Sequence, residues 1–92
     1  MFPTNTLASD LVQSHASIGF DRTAIQRDLN VVLPLERMRE LVDGGQIGRL
    51  APNVYAFMGA QRPPYDALES SAADVAARLR AEGADFVFLT GT

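Results

Sequence analysis

The side chains that could carry chemistry in this sequence are few. Ser14 and His15 lie side by side, Asp21, Asp28 and Asn30 follow, and Gly59, Thr90, Gly91 and Thr92 come directly after apolar runs. A histidine can move protons near neutral pH, and a serine beside a base can become a nucleophile. A Ser/His pair is normally assembled from separate segments, however, so two sequence neighbours read first as loop residues. One histidine with scattered carboxylates is a poor metal site. Asp21 precedes apolar residues at helical spacing and reads as a helix cap, its carboxylate accepting from the free N–H groups of a first turn. Arg62, beside Pro63 and Pro64, reads as a solvated loop charge. Gly59 and Gly91 serve equally well as turn residues or as positions where a substrate approaches the backbone. By spacing alone these residues form no catalytic motif.

What surrounds them narrows the classes. Ninety-two residues with net charge −3 and 47% hydrophobic content make one small folded domain of modest core. The acidic balance, with a pI of about 4.9, argues against a nucleic-acid surface or a polybasic membrane patch. All eight basic residues are arginine, so no Schiff-base lysine comes from this chain. Cysteine is absent, which removes disulfides, thiolate catalysis and Cys metal sites from these residues. No long apolar segment or signal-peptide pattern is present, and a cytoplasmic protein is the expectation.

The elements that must position the candidates follow from periodicity. Residues 1–6 predict an extended, poorly ordered start, because Pro3 disfavours an early helix. Residues 7–14 allow a short strand through Leu11 and Val12, or one helical turn, with the strand preferred. Residues 14–19 are loop. A short helix over 22–28 is capped by Asp21 and packs through Ala24, Ile25 and Leu29. Pro34 suits a first helical turn and opens a helix over 34–43. Leu35, Met38, Leu41 and Val42 form its apolar stripe, Glu36, Arg37, Arg39 and Glu40 face water, and Gly44-Gly45 ends it. Residues 53–58 predict a strand ended by Gly59. Asp66 with Glu69 has capping-box spacing and starts a helix that runs to about Glu82, with a weak point at Ser70-Ser71. The unbroken apolar run 86–89, after Gly83, predicts a strand buried on both faces. Strand, helix and strand make a right-handed βαβ unit in the C-terminal half. The expected class is therefore α/β: a single incomplete domain over residues 1–92, with a parallel, Rossmann-like sheet. Functional loops belong just past the carboxyl ends of such strands, at Gly59 and at Thr90-Gly91.

An ordered series of residues carries a resemblance. It runs Ser14-His15, Gly19-Phe20-Asp21, Asp28-Leu29-Asn30, Pro34-Leu35-Glu36-Arg37 and Leu41, then Ile47-Gly48. Leu50-Ala51-Pro52, Tyr55 with Phe57-Met58-Gly59, and Glu82-Gly83-Ala84-Asp85 through Leu89-Thr90 complete it. The series resembles the selenoprotein B subunits of the glycine, sarcosine, betaine and D-proline reductases, over roughly residues 10–92. No single element is specific; the order is, above all Leu-Ala-Pro followed by Phe-Met-Gly. A weaker likeness to racemase-type half-domains, where a cysteine follows a Gly-Ala-Asp-led strand, has the same two elements against it.

The resemblance implies reductive cleavage of a C–N bond in a small amine such as glycine, sarcosine, betaine or D-proline. A pyruvoyl group on a partner subunit, none being carried by this chain, activates the amine as a Schiff base. A selenolate or thiolate of the B-type subunit attacks the α carbon, a second thiol resolves the adduct, and a thioredoxin-like thiol/disulfide couple supplies electrons. Selenocysteine suits the first role because its ionised form is the nucleophile. The substrate-side residues implied here are His15, Asp28, Asn30, Gly59, Thr90 and Gly91, with no catalytic nucleophile and no metal ligand among them. The family's nucleophile belongs in the loop after the strand over 86–89. Two expectations follow: that this is the N-terminal part of a reductase subunit, inactive by itself, and that a UGA selenocysteine codon follows Thr92. The alternative is a non-catalytic module that keeps the fold and binds a ligand or partner.

Overall fold

The computed structural model describes residues 1–12, 14 and 19–91. In chain order these residues form strand β1 (Phe2–Pro3), a 3-10 turn at Ala8–Asp10, helix α1 (Thr23–Arg27) and a 3-10 turn at Leu29–Val31. Helix α2 (Leu35–Asp43), strand β2 (Asn53–Val54) and helix α3 (Asp66–Ala81) follow. They belong to two compact units.

The first unit joins Met1–Thr4 to Ala51–Val87. Its sheet is one antiparallel pair, with Phe2 opposite Val54 and Pro3 opposite Asn53. The start of the chain is therefore not a loose lead but the partner strand. Thr4 extends the pairing, its N–H donating to the Pro52 carbonyl at 2.9 Å and its hydroxyl to the Ala51 carbonyl at 2.9 Å. Pro3 is tolerated because a two-stranded ladder has a free edge on which a missing N–H costs nothing.

Helix α3 forms as the 3.6 periodicity predicts, with Leu68, Val75 and Leu79 half-buried. Two details differ. The N-cap is Tyr65, with no side-chain cap bond, so Asp66 lies inside the first turn and the capping box is not formed. There Asp66 and Glu69 still complement the positive helix end. Ser70-Ser71 does not break the helix either, because the Ser71 hydroxyl turns back onto the Ala67 carbonyl at 2.8 Å. At the other end Gly83 takes φ +76°, and Gly83 and Ala84 donate to the carbonyls of Arg80 and Leu79. This is a Schellman end, in which a left-handed glycine satisfies carbonyls that the helix leaves open.

The βαβ unit is a correction. The strand expected over 53–58 stops at Val54, and residues 86–89 form no strand. Nor is that run buried: Phe86, Val87, Phe88 and Leu89 are 54–86% exposed, with Phe57 and Met58 also exposed. Apolar content predicts burial only where something covers the residues, and an extended segment without a ladder partner is not a strand. The helical part of the α/β reading holds. The sheet is antiparallel and two-stranded, not parallel and Rossmann-like.

The second unit joins Asn5–Leu50 to Phe88–Thr92. Leu11 and Val12 lie in irregular backbone after the first 3-10 turn rather than in a strand. Helix α1 packs on the 3-10 turn at Leu29–Val31 and contributes Ile25, the one buried hydrophobic among the described residues at 8% exposure. Helix α2 starts one residue later than Pro34 and half-buries Leu35, Met38, Leu41 and Val42. Arg39 does not simply face water: it is half-buried and donates to the Thr6 carbonyl at 3.0 Å. Gly45, at φ +71°, closes α2 as Gly83 closes α3, with Gly45 and Gln46 donating to Val42 and Leu41.

Candidate functional site

The polar residues of the second unit are tied to its backbone, and one asparagine joins most of them. The Asp28 carboxylate oxygen Oδ1 accepts from the Asn30 N–H at 2.9 Å and from Asn30 Nδ2 at 2.8 Å. The same Nδ2 donates to Glu36 Oε2 at 3.0 Å, while Asn30 Oδ1 accepts from the Glu36 N–H at 3.2 Å. Asn30 thus satisfies one free N–H in the first turn of α2, which Pro34, holding the N-cap position without a hydroxyl or carboxylate, cannot do. Asp28 in turn caps the 3-10 turn that carries Asn30. Hydrogen bonds from the Asn30 side chain, and then from its backbone, lower the Asp28 carboxyl below its ordinary 3.8.

Upstream, Asp21 Oδ1 accepts from the Thr23 N–H at 2.8 Å, which fulfils the cap reading although Arg22 holds the N-cap position. The Thr23 backbone bond, aided by its hydroxyl, lowers the Asp21 carboxyl as well. Beside Asn30 a small hollow is lined by Leu11, Leu33, Glu36 and Arg39. Its cavity volume of about 10 Å³ is room for one water molecule.

Of the residues proposed from sequence, Asp28 and Asn30 are in direct contact. Thr90 comes to the same unit, its hydroxyl donating to the Val32 carbonyl at 3.1 Å, two residues past Asn30. Gly91 is exposed nearby in sequence, and Gly59 is exposed in the first unit. A Cβ added to either glycine meets nothing within 4 Å, and neither adopts a left-handed φ. The left-handed residue of that loop is instead Ala60, at φ 57°, which costs on the order of 1 kcal/mol of backbone strain for a residue with a Cβ. His15 and Thr92 lie outside the described residues.

The first unit contains an arrangement that spacing did not signal. Glu82 Oε1 accepts from Asn53 Nδ2 at 2.8 Å and from the Tyr55 hydroxyl at 2.7 Å. The donors lie 29 and 27 residues away in sequence, so no helical or strand template links them. The Asn53 bond, followed by that from Tyr55, lowers the Glu82 carboxyl below its ordinary 4.5, and the bond to Glu82 raises the Tyr55 phenol above 10.0. The described residues contain no group of three or more His, Cys, Asp or Glu able to hold a metal ion. No helix among them is long and apolar enough to cross a membrane.

Among the described residues the fold is helix-rich with a minimal sheet, and the polar groups at the site organise backbone. The chain belongs to the glycine/sarcosine/betaine reductase selenoprotein B family, whose pattern it matches over residues 4–92. It is similar to D-proline reductase subunit gamma of Acetoanaerobium sticklandii, at 32% identity over 90 residues, 98% of this chain and 36% of that protein. Glycine reductase complex component B subunit gamma of Carboxydothermus hydrogenoformans is 36% identical over 94% of this chain and 19% of that protein. Betaine reductase complex component B subunit beta of Peptoclostridium acidaminophilum is 31% identical over 80% of this chain and 17% of that protein. The chain spans about a third of the length of the first relative and under a fifth of the other two. No solved structure matches it.

Proposed function

We propose that this chain supplies the N-terminal portion of a B-type reductase subunit. The reaction is reductive cleavage of the C–N bond of a small amine of the glycine, sarcosine, betaine or D-proline kind. Two electrons and two protons pass from a dithiol, which becomes a disulfide, so that the C–N bond is replaced by C–H; the amine leaves an open-chain substrate and stays attached in the ring-opened product of D-proline. The match to the family over residues 4–92 carries this reading. The 92 residues contain no cysteine, so the nucleophile and its resolving thiol come from elsewhere in the assembly, and the chain alone is inactive.

In this reading a pyruvoyl-bearing subunit is the partner, a thioredoxin-like protein is the reductant, and the setting is cytoplasmic. His15, Asp28, Asn30, Gly59, Thr90 and Gly91 are the substrate-binding candidates that the family resemblance implies. The tether of Thr90 to Val32, beside the Asp28–Asn30 pair, supports a common location for three of the six. In the completed subunit further chain covers the exposed apolar residues Phe57, Met58 and Phe86 to Leu89, a reading that their exposure here supports.

The test mixes the purified chain with the pyruvoyl-bearing subunit of a D-proline reductase. Gel filtration reads association, and reduction of the four substrates with a dithiol reads activity. A complex without turnover is expected. Turnover by the chain alone refutes the inactive-portion reading. Failure to associate leaves the alternative in front, a non-catalytic binding module that keeps the family's fold, which the absence of cysteine also favours.

A further inference from the structure

Glu82 occupies an unusual place for an ordered carboxylate. It is the C-cap of α3, where the helix presents open carbonyls and a partial negative charge, so an anion there is disfavoured by the helix itself. What holds it is a pair of donors from the far side of the unit: the Asn53 amide, on β2, and the Tyr55 hydroxyl, one residue past β2. Both bonds end on the single oxygen Oε1 and both are short, as expected when the acceptor is charged. From α3, Arg78, one helical turn back, bears on the carboxylate and favours its charged form, while Asn53 of β2 and Tyr55 just past it bring neutral donors.

The position matters because two apolar runs start near this point. Tyr55 leads directly to Phe57 and Met58, and Glu82 leads through the left-handed Gly83 to Phe86 and Val87. Neither run has ladder hydrogen bonds of its own. A segment of that kind opens locally at little cost unless the residues flanking it are held. Those flanking residues are Tyr55 on one side and, on the other, the helix end of Glu82, Gly83 and Ala84, and Tyr55 and Glu82 are bonded to each other.

We propose that Glu82 is a positioning residue: its carboxylate clasps Asn53 and Tyr55 so that the starts of the two exposed apolar stretches of the first unit, Phe57-Met58 and Phe86-Val87, are held near each other. The clasp works as an ionised group and opens when it gains a proton. A neutral carboxyl gives up the charge-assisted character of both bonds.

The test uses the whole chain and three variants: Glu82→Gln, close in shape but uncharged, Tyr55→Phe, and Ser71→Ala as a control elsewhere on α3. Ring-carbon NMR follows the Tyr55 titration, and amide exchange follows Tyr55 and Ala84. In the native chain Tyr55 titrates above 10.0, and in Glu82→Gln its midpoint falls toward the ordinary phenol value. Exchange at Tyr55 and Ala84 rises at least about tenfold, with Ser71→Ala leaving both near native. In Tyr55→Phe the Glu82 side-chain resonance titrates at higher pH than in the native chain. A Tyr55 midpoint unmoved by Glu82→Gln, or exchange that rises equally in Ser71→Ala, overturns the clasp. If Glu82→Gln does not fold, the Glu82 titration in Tyr55→Phe decides: an upward shift supports the proposal and an unchanged midpoint overturns it.

Discussion

Asn30 makes an instructive perturbation because its amide works in both directions at once. Replacing it with alanine removes the acceptor for the Glu36 N–H at 3.2 Å and the two Nδ2 bonds, to Asp28 and Glu36, at 2.8 and 3.0 Å. The bond from the Asn30 backbone N–H to Asp28 survives. Loss of a cap of this type costs about 1 kcal/mol. The two side-chain bonds lie at an exposed position and add a fraction of their buried worth, so the whole change comes to about 1–2 kcal/mol. With a urea slope of about 1 kcal/mol per molar for a chain this small, the midpoint followed by far-UV circular dichroism falls by about 1–2 M.

Asn30→Asp separates the acceptor from the donor. It keeps an oxygen for the Glu36 N–H but turns a second oxygen toward two carboxylates that previously received hydrogens. At pH 7 this variant is expected to be less stable than Asn30→Ala. In acid, once the introduced carboxyl has taken up a proton, the order reverses, because the aspartyl variant retains the cap. A midpoint for Asn30→Asp at or above that of Asn30→Ala at pH 7 refutes the bonding scheme, as does an alanine variant with native stability.

Three further outcomes are expected. Gly83→Ala places a Cβ at φ +76° and lowers stability by about 1 kcal/mol, seen as a thermal midpoint several degrees lower; an unchanged midpoint would remove the Schellman end from the account. Ile25→Ala empties the one buried hydrophobic site among the described residues and costs about 2 kcal/mol or more, measurable by the same urea titration. Stability also varies with pH in a defined direction. The lowered carboxyls of Asp21, Asp28 and Glu82 stabilise the fold above their ordinary values of 3.8 and 4.5, and that stabilisation is lost as pH falls below them, since the unfolded chain then binds more protons. The raised Tyr55 phenol acts oppositely, its contribution complete below 10.0 and lost as pH rises through its folded value. A pH–stability curve flat between 3 and 5 would contradict the carboxylate part.

The helices were legible because their signals are local. Four residues of apolar stripe and a glycine pair define α2, and the same logic extends α3 to Glu82. Asp21 was readable as a cap for the same reason. Sheet content was not, because pairing is a property of two segments. Residues 53–58 and 86–89 have strand-like composition, yet only Asn53 and Val54 meet a ladder partner, supplied by Phe2 and Pro3 at the far end of the sequence. The hydrogen bonds at the candidate site were not legible. Asp28 and Asn30 were singled out by the family resemblance, but the bond across Pro34 to Glu36 follows no i,i+3 or i,i+4 rule. The Asn53–Tyr55–Glu82 contact has no sequence period at all.

The Schellman end of α3 makes the number of residues in that helix a constraint in its own right. A helix turns by about 100° and advances about 1.5 Å with each residue. One residue inserted or deleted between Asp66 and Ala81 therefore swings the C-cap a quarter-turn or more about the axis, carrying Glu82 away from Asn53 and Tyr55. Four residues, close to one full turn, restore the angle but move the carboxylate about 6 Å along the axis, again beyond hydrogen-bond reach. Substitutions along the exposed face of α3 leave this geometry alone, whereas no change of length does. The helix is a ruler of sixteen residues, tolerant in its lettering and intolerant in its span.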